Sequence, residues 1–179
     1  MLTDSKLAFV LPGNPLSFIG GVDVASPLII DLLGNGVGQP PASIIGNKSV
    51  FGVDAGVGDH RPEIDTVIGD DALTSSSATL NIALQGAVDT GAGGGYQPGT
   101  WTTIVETGPL AAATLISGYV AGRFPFLPYP TSALPRYLRI LFQVATGTFT
   151  QGSIAFSVVT FVRDDNANKY AASNFSVTS

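Results

Sequence analysis

The chain contains no cysteine, which excludes disulfides, thiolate metal sites and thiol nucleophiles and leaves stability to packing and assembly. Charge is sparse too: Asp, Glu, Lys and Arg make up 12% of its 179 residues, about half the roughly 25% of an average soluble domain. A surface built mainly from Gly, Ser, Thr, Ala and Gln loses little solvation energy when a partner covers it, which favours a component of an assembly. Cations are scarcer still. Eight basic residues are scattered from Lys6 to Lys169 in a chain of net charge −5. They form no stripe able to displace counterions from a phosphate backbone, so no nucleic-acid partner is expected. His60 is the single histidine; any Ser-His-acid mechanism would have to use it, and no G-x-S-x-G elbow accompanies it. No enzymatic activity and no cofactor are expected. The uncharged run that follows Glu106 is broken by Gly108, Pro109 and Gly118 and falls short of the roughly 20 apolar residues of a spanning helix, so no membrane partner is expected. The start, with Asp4 ahead of Lys6 and a short apolar run ended by Pro12-Gly13, does not resemble a signal peptide, and export by the usual route is not expected.

What the sequence does have is punctuation. Twenty-two glycines and twelve prolines interrupt it too often for long helices, and the stretches between them are rich in Val, Ile, Thr, Phe and Tyr. This pattern predicts an all-β, antiparallel sandwich or barrel with long loops, a jelly-roll-like sandwich being one such solution, in a single domain over residues 1–179. Within residues 78–85, Leu80, Ile82 and Leu84 fall on one face and Thr79, Asn81 and Gln85 on the other, as a half-buried strand requires. Residues 101–106 predict a strand with Trp101, Thr103 and Val105 on one side, after a glycine-rich loop at 91–99 that is expected to be mobile. In residues 136–145 the apolar set Leu138, Ile140, Phe142 and Val144 is expected to face the core and to alternate with Tyr137, Arg139, Leu141 and Gln143. A second apolar strand over 154–162, across a glycine-bounded loop, predicts a hairpin.

Residues 34–69 show no long strand and read as an acidic loop insertion. It opens with the turn-like Gly34-Asn35-Gly36-Val37-Gly38, and six of the thirteen carboxylates of the chain lie within residues 54–71. Asp54, Asp59, His60, Glu63 and Asp65 include oxygen ligands of the kind a hard cation takes, but their spacing matches no EF-hand loop, and a solvated acidic loop explains them more simply. No metal is expected. Residues 1–18 are read as an N-terminal arm and 171–179 as a C-terminal arm or edge strand.

Phe124, Phe126 and Tyr129 alternate with Pro125, Pro128 and Pro130, which cannot donate ladder hydrogen bonds, so this segment is expected at a sheet edge or in a loop. There the aromatic side chains either anchor a subunit interface or cover the end of the core. Arg136 and Arg139 fall on opposite faces of their strand, and Arg139, which shares a face with Gln143, is the better candidate for an exposed contact. Phe124, Phe126, Tyr129 and Arg139 are therefore the candidate interface residues; catalytic and cofactor-binding candidates are absent.

Residues 134–154 carry R-Y-L-R at positions 136–139, alternating apolar residues, and then T-G-T-F-T-Q-G at 146–152. This stretch resembles the corresponding segment of the Bbp16-like phage capsid cement (decoration) proteins. Shorter pieces are similar in the same order: residues 2–7, Ile30-Asp31-Leu32 with Gly36-Val37-Gly38, residues 78–85, and residues 115–119. The resemblance implies a jelly-roll-like fold and a virion protein on the outer capsid surface. It also implies binding to the major capsid protein, self-association as a dimer or trimer, and reinforcement of the shell without catalytic residues. Relative to a compact member of that family, residues 40–69 and 91–99 look like insertions. Two readings from other classes stand beside it: a carbohydrate-binding sandwich for host recognition with Trp101 and Tyr96 as stacking platforms, and a metal-assisted hydrolase built on His60 and its acidic neighbours.

Overall fold

The computed structural model describes residues 7–32, 62–90, 97–125 and 135–161. Four short strands open the described chain: β1 (Ala8–Val10), β2 (Leu16–Ser17), β3 (Val24–Ala25) and β4 (Ile30–Asp31). Longer ones follow: β5 (Pro62–Ile68), β6 (Thr79–Ala87), β7 (Thr102–Glu106), the two-residue β8 (Leu110–Ala111), β9 (Val120–Pro125), β10 (Tyr137–Ala145) and β11 (Ser153–Phe161). The helical content of the described residues is confined to single turns such as Ala112–Thr114.

All pairings are antiparallel and build two sheets packed face to face. One has the order β1-β11-β5-β9, with β2 also on β11; the other runs β3-β10-β6-β7, with β4 on β10 and β8 on β6. The chain therefore changes sheet between β2 and β3, β4 and β5, β5 and β6, β8 and β9, β9 and β10, and β10 and β11. That double interlocking is the jelly roll, the solution among those left open by the strand-and-turn pattern that the family resemblance implies.

Alternation explains which side chains meet between the sheets. Leu80, Ile82 and Leu84 of β6 and Leu138, Ile140 and Phe142 of β10 are buried against Ile64 and Ile68 of β5 and Ile154 and Val159 of β11. Each such side chain contributes about 1.5–3 kcal/mol on leaving water. One polar pair sits in the same layer: Thr66 of β5 and Ser157 of β11 are buried and share a hydrogen bond of 2.8 Å, which satisfies hydroxyls that would otherwise be costly to bury.

Four expectations need correction. The segment 34–69 is not a loop throughout, because Pro62–Ile68 forms β5, the strand between β11 and β9. Its alternation is masked by Thr66, which occupies an inward position where an aliphatic residue would have revealed the pattern. Residues 33–61 lie outside the described residues. Residues 7–18 are not an arm: β1 and β2 pair with β11, and Phe9, Val10 and Phe18 are core residues. The C-terminal arm at 171–179 lies outside the described residues.

The two strands β10 and β11 are not a hairpin, since they belong to opposite sheets. Each carries a full apolar face, and a sandwich satisfies both by placing them across the core, so residues 146–152 bridge a gap of about 10 Å between sheets. Phe149 from this bridge fills the gap, edge-on to Phe18 at 5.8 Å, while Phe18 meets Phe142 at 5.9 Å. Thr146 and Gly152 adopt positive φ at 62° and 126° to make the crossing.

Finally, a bulge in β7 shifts the pairing so that Leu84 opposes Val105 while Gln85 opposes Thr103. Val105 thus packs on the core and Thr103 lies on the outer face, splitting the set expected on one side.

Candidate functional site

The outer face of the β3-β10-β6-β7 sheet carries the most organised polar cluster among the described residues. Arg139 of β10 opposes Gln85 of β6, which opposes Thr103 of β7. Arg139 Nε donates to Gln85 Oε1 at 2.9 Å, and Gln85 Nε2 donates to Thr103 Oγ1 at 3.3 Å. The guanidinium lies 4.4 Å from the centroid of the Trp101 ring, a cation–π geometry worth about 0.5–1 kcal/mol near a surface. Desolvation by these neighbours lowers the Arg139 pKa from its ordinary value. Two rungs along, Asn81 Nδ2 donates to Glu106 Oε2 at 2.8 Å and to Gln143 Oε1 at 2.9 Å.

Arg139 thus lies on the outer face, where alternation places it, but it is half-buried and its guanidinium is committed to Gln85 and Trp101. Phe124 is not an interface residue. It is 3% exposed, in the core formed by both sheets, although among the described residues β9 is an edge strand, as the prolines predict. Phe126 and Tyr129 lie outside the described residues. So does Tyr96, and one face of Trp101 is covered by Arg139, which weakens the pair as a sugar-stacking platform. Asp54, Asp59 and His60 also lie outside the described residues. Glu63 and Asp65 sit on β5 and pair with Arg123 of β9, at 3.4 and 2.8 Å. The hydrogen bond from Arg123 to Asp65 is the main cause of its raised pKa.

A second ion cluster was not anticipated. Arg136 Nε and Nη2 donate to the two carboxylate oxygens of Asp31, both at 2.8 Å, and its Nη1 donates to Asp89 Oδ2 at 2.6 Å. One forked cation thereby ties β4, the residues just after β6 and the residue just before β10 at one end of those paired strands. The hydrogen bond to Asp31 raises the Arg136 pKa against the opposing effect of burial. The signal was present in the sequence: Arg136 occupies the inward register of Leu138 and Ile140, and Asp31 lies between Ile30 and Leu32. A charge framed by core residues needs a buried partner.

The fold and these clusters define an all-β jelly-roll domain whose polar groups pair with one another to hold strands together. The model of the Bbp16 family matches residues 45–160, more than half of the chain, and the chain belongs to this phage-associated family. The matched span contains the segments 78–85, 115–119 and 134–154 and excludes residues 2–7 and 30–38. It begins inside the acidic segment, so residues 45–69 fall within the matched span. No curated protein matches the chain.

Proposed function

We propose that this chain is a capsid decoration protein: it binds the outer surface of the phage shell, contacts the major capsid protein, self-associates as a dimer or trimer, and stabilises the shell without catalysis. Membership of the Bbp16 family over residues 45–160 carries the reading. The physical character of the chain supports it. A low-charge sandwich is covered by a partner at little desolvation cost, and repetition over a symmetric shell multiplies modest contacts by avidity. A net charge of −5 disfavours association with packaged nucleic acid and suits the outer face.

The reading is tested by adding the purified protein to mature shells that lack it and following shell disruption by heat. A saturable rise in the disruption temperature is expected. An unchanged temperature at saturating protein overturns the reading.

A further inference from the structure

Four connections gather at one end of the sandwich: residues 18–23, 69–78, 112–119 and 146–152. They are stitched together through their backbones. Gly20 N donates to Phe149 O at 2.9 Å and Phe149 N returns a bond to Gly20 O at 3.0 Å; Thr74 N donates to Gln151 O at 3.0 Å and Thr150 N to Thr74 O at 2.9 Å; Leu73 N donates to Leu115 O at 3.1 Å. The seam is tight, since a Cβ on Gly152 would sit 2.7 Å from Leu73 Cα. A surface fixed in this way pays little ordering entropy on binding.

This end is also where apolar side chains are left in water. Of the eight large hydrophobic residues that remain exposed among those described, five are here or on the first residue of β9: Ile19 (69%), Val22 (72%), Ile116 (60%), Tyr119 (39%) and Val120 (39%). Folding has not buried them although the loops that carry them are tied to one another by backbone hydrogen bonds. The charge at this end is of one sign: the four loops contain Asp23, Asp70 and Asp71 and no Lys, Arg or His, and all three acids are exposed.

A second copy docking by a two-fold axis through these loops would set acid against acid, because an isologous interface presents the same patch twice. The complementary partner carries cations beside apolar side chains. We infer that this loop end is the docking surface for a protein surface presenting Lys or Arg next to exposed apolar residues. Given the decoration reading, on which this assignment rests, that surface belongs to the capsid shell.

The test is cosedimentation with mature shells over a range of protein and salt concentrations. The variants are Val22→Asp/Ile116→Asp, Asp70→Asn/Asp71→Asn, and Ile29→Asp as an exposed apolar control between β3 and β4; urea midpoints establish that each is folded. The double aspartate variant is expected to bind at least about tenfold more weakly, as loss of central apolar contacts does. The double asparagine variant is expected to show a shallower salt dependence, and Ile29→Asp to bind like wild type. Wild-type binding together with undiminished binding of Val22→Asp/Ile116→Asp overturns the assignment alone. So does a double aspartate variant that loses self-association, by analytical ultracentrifugation, yet keeps shell binding. A wild-type chain that binds no shell overturns the decoration reading and this assignment with it.

Discussion

Replacing Arg136 with alanine tests whether the Asp31–Arg136–Asp89 cluster holds the ends of β4, β10 and β6 together. The arginine side chain is 7% exposed and the two carboxylates 22% and 23%, so the cation is shielded while each anion keeps some water. Breaking a buried pair by removing one partner costs about 3–5 kcal/mol, because the partner left behind is an uncompensated charge. Partial solvation of both carboxylates places the expected loss at the low end, about 3 kcal/mol. For a chain of this size that corresponds to a fall in melting temperature of roughly 6–12 °C. Urea unfolding is the direct assay, with a lower midpoint and an unchanged slope. Arg136→Lys is expected to lose less, though not nothing, since an ammonium cannot fork onto both oxygens of Asp31. The sign with pH is also fixed. A base whose pKa is raised by folding contributes fully below its unfolded value and loses the contribution only as pH climbs through the higher folded one. The gap between wild type and Arg136→Ala is therefore constant from neutral pH to about pH 10, since arginine titrates well above that range. A loss below about 1 kcal/mol for Arg136→Ala, the size of an exposed pair, refutes the reasoning.

Phe149→Ala removes the ring that fills the gap between the sheets and is expected to cost about 3–5 kcal/mol in urea unfolding. Thr66→Val leaves Ser157 Oγ without its 2.8 Å partner and is expected to cost about 1–3 kcal/mol, whereas the double variant Thr66→Val/Ser157→Ala recovers part of that loss in the same assay. Gly152→Ala drives a Cβ into the Leu73 backbone at a φ of 126° and is expected to lower the melting temperature by several degrees, corresponding to about 1–3 kcal/mol. Trp101 is the single tryptophan; Arg139→Ala uncovers its ring, so acrylamide quenching of its fluorescence is expected to rise while stability falls by no more than about 1 kcal/mol.

The strands with clean alternation were legible from their residues alone. Leu80, Ile82 and Leu84, and Leu138, Ile140 and Phe142, face the core because no other strand orientation buries them. What alternation does not encode is which sheet a strand joins. Residues 146–152 look like a hairpin loop because glycines bound them, and only the need to place two apolar faces opposite each other turns the loop into a bridge, with Phe149 as its plug. β5 escaped notice because Thr66 sits inward and its hydroxyl is satisfied by Ser157, a partner 91 positions away. The same distance effect hid the Arg136 cluster, whose carboxylates come from residues 105 and 47 positions earlier. Phe124 was legible as an edge-strand or loop residue that either anchors an interface or covers the core, and it does the second: β9 is an edge strand among the described residues and turns Phe124 inward. The exposed end assembled from four loops follows from topology, which brings Ile19 and Ile116 to one end of the sandwich from opposite halves of the chain.

The central claim is that the protein binds the assembled shell from outside. Its most direct test is cosedimentation of the purified chain with mature shells and, in parallel, with unexpanded procapsids of the same phage, counting copies bound. Saturable binding to mature shells at a fixed ratio to capsid subunits is the predicted result; no binding to either particle contradicts it.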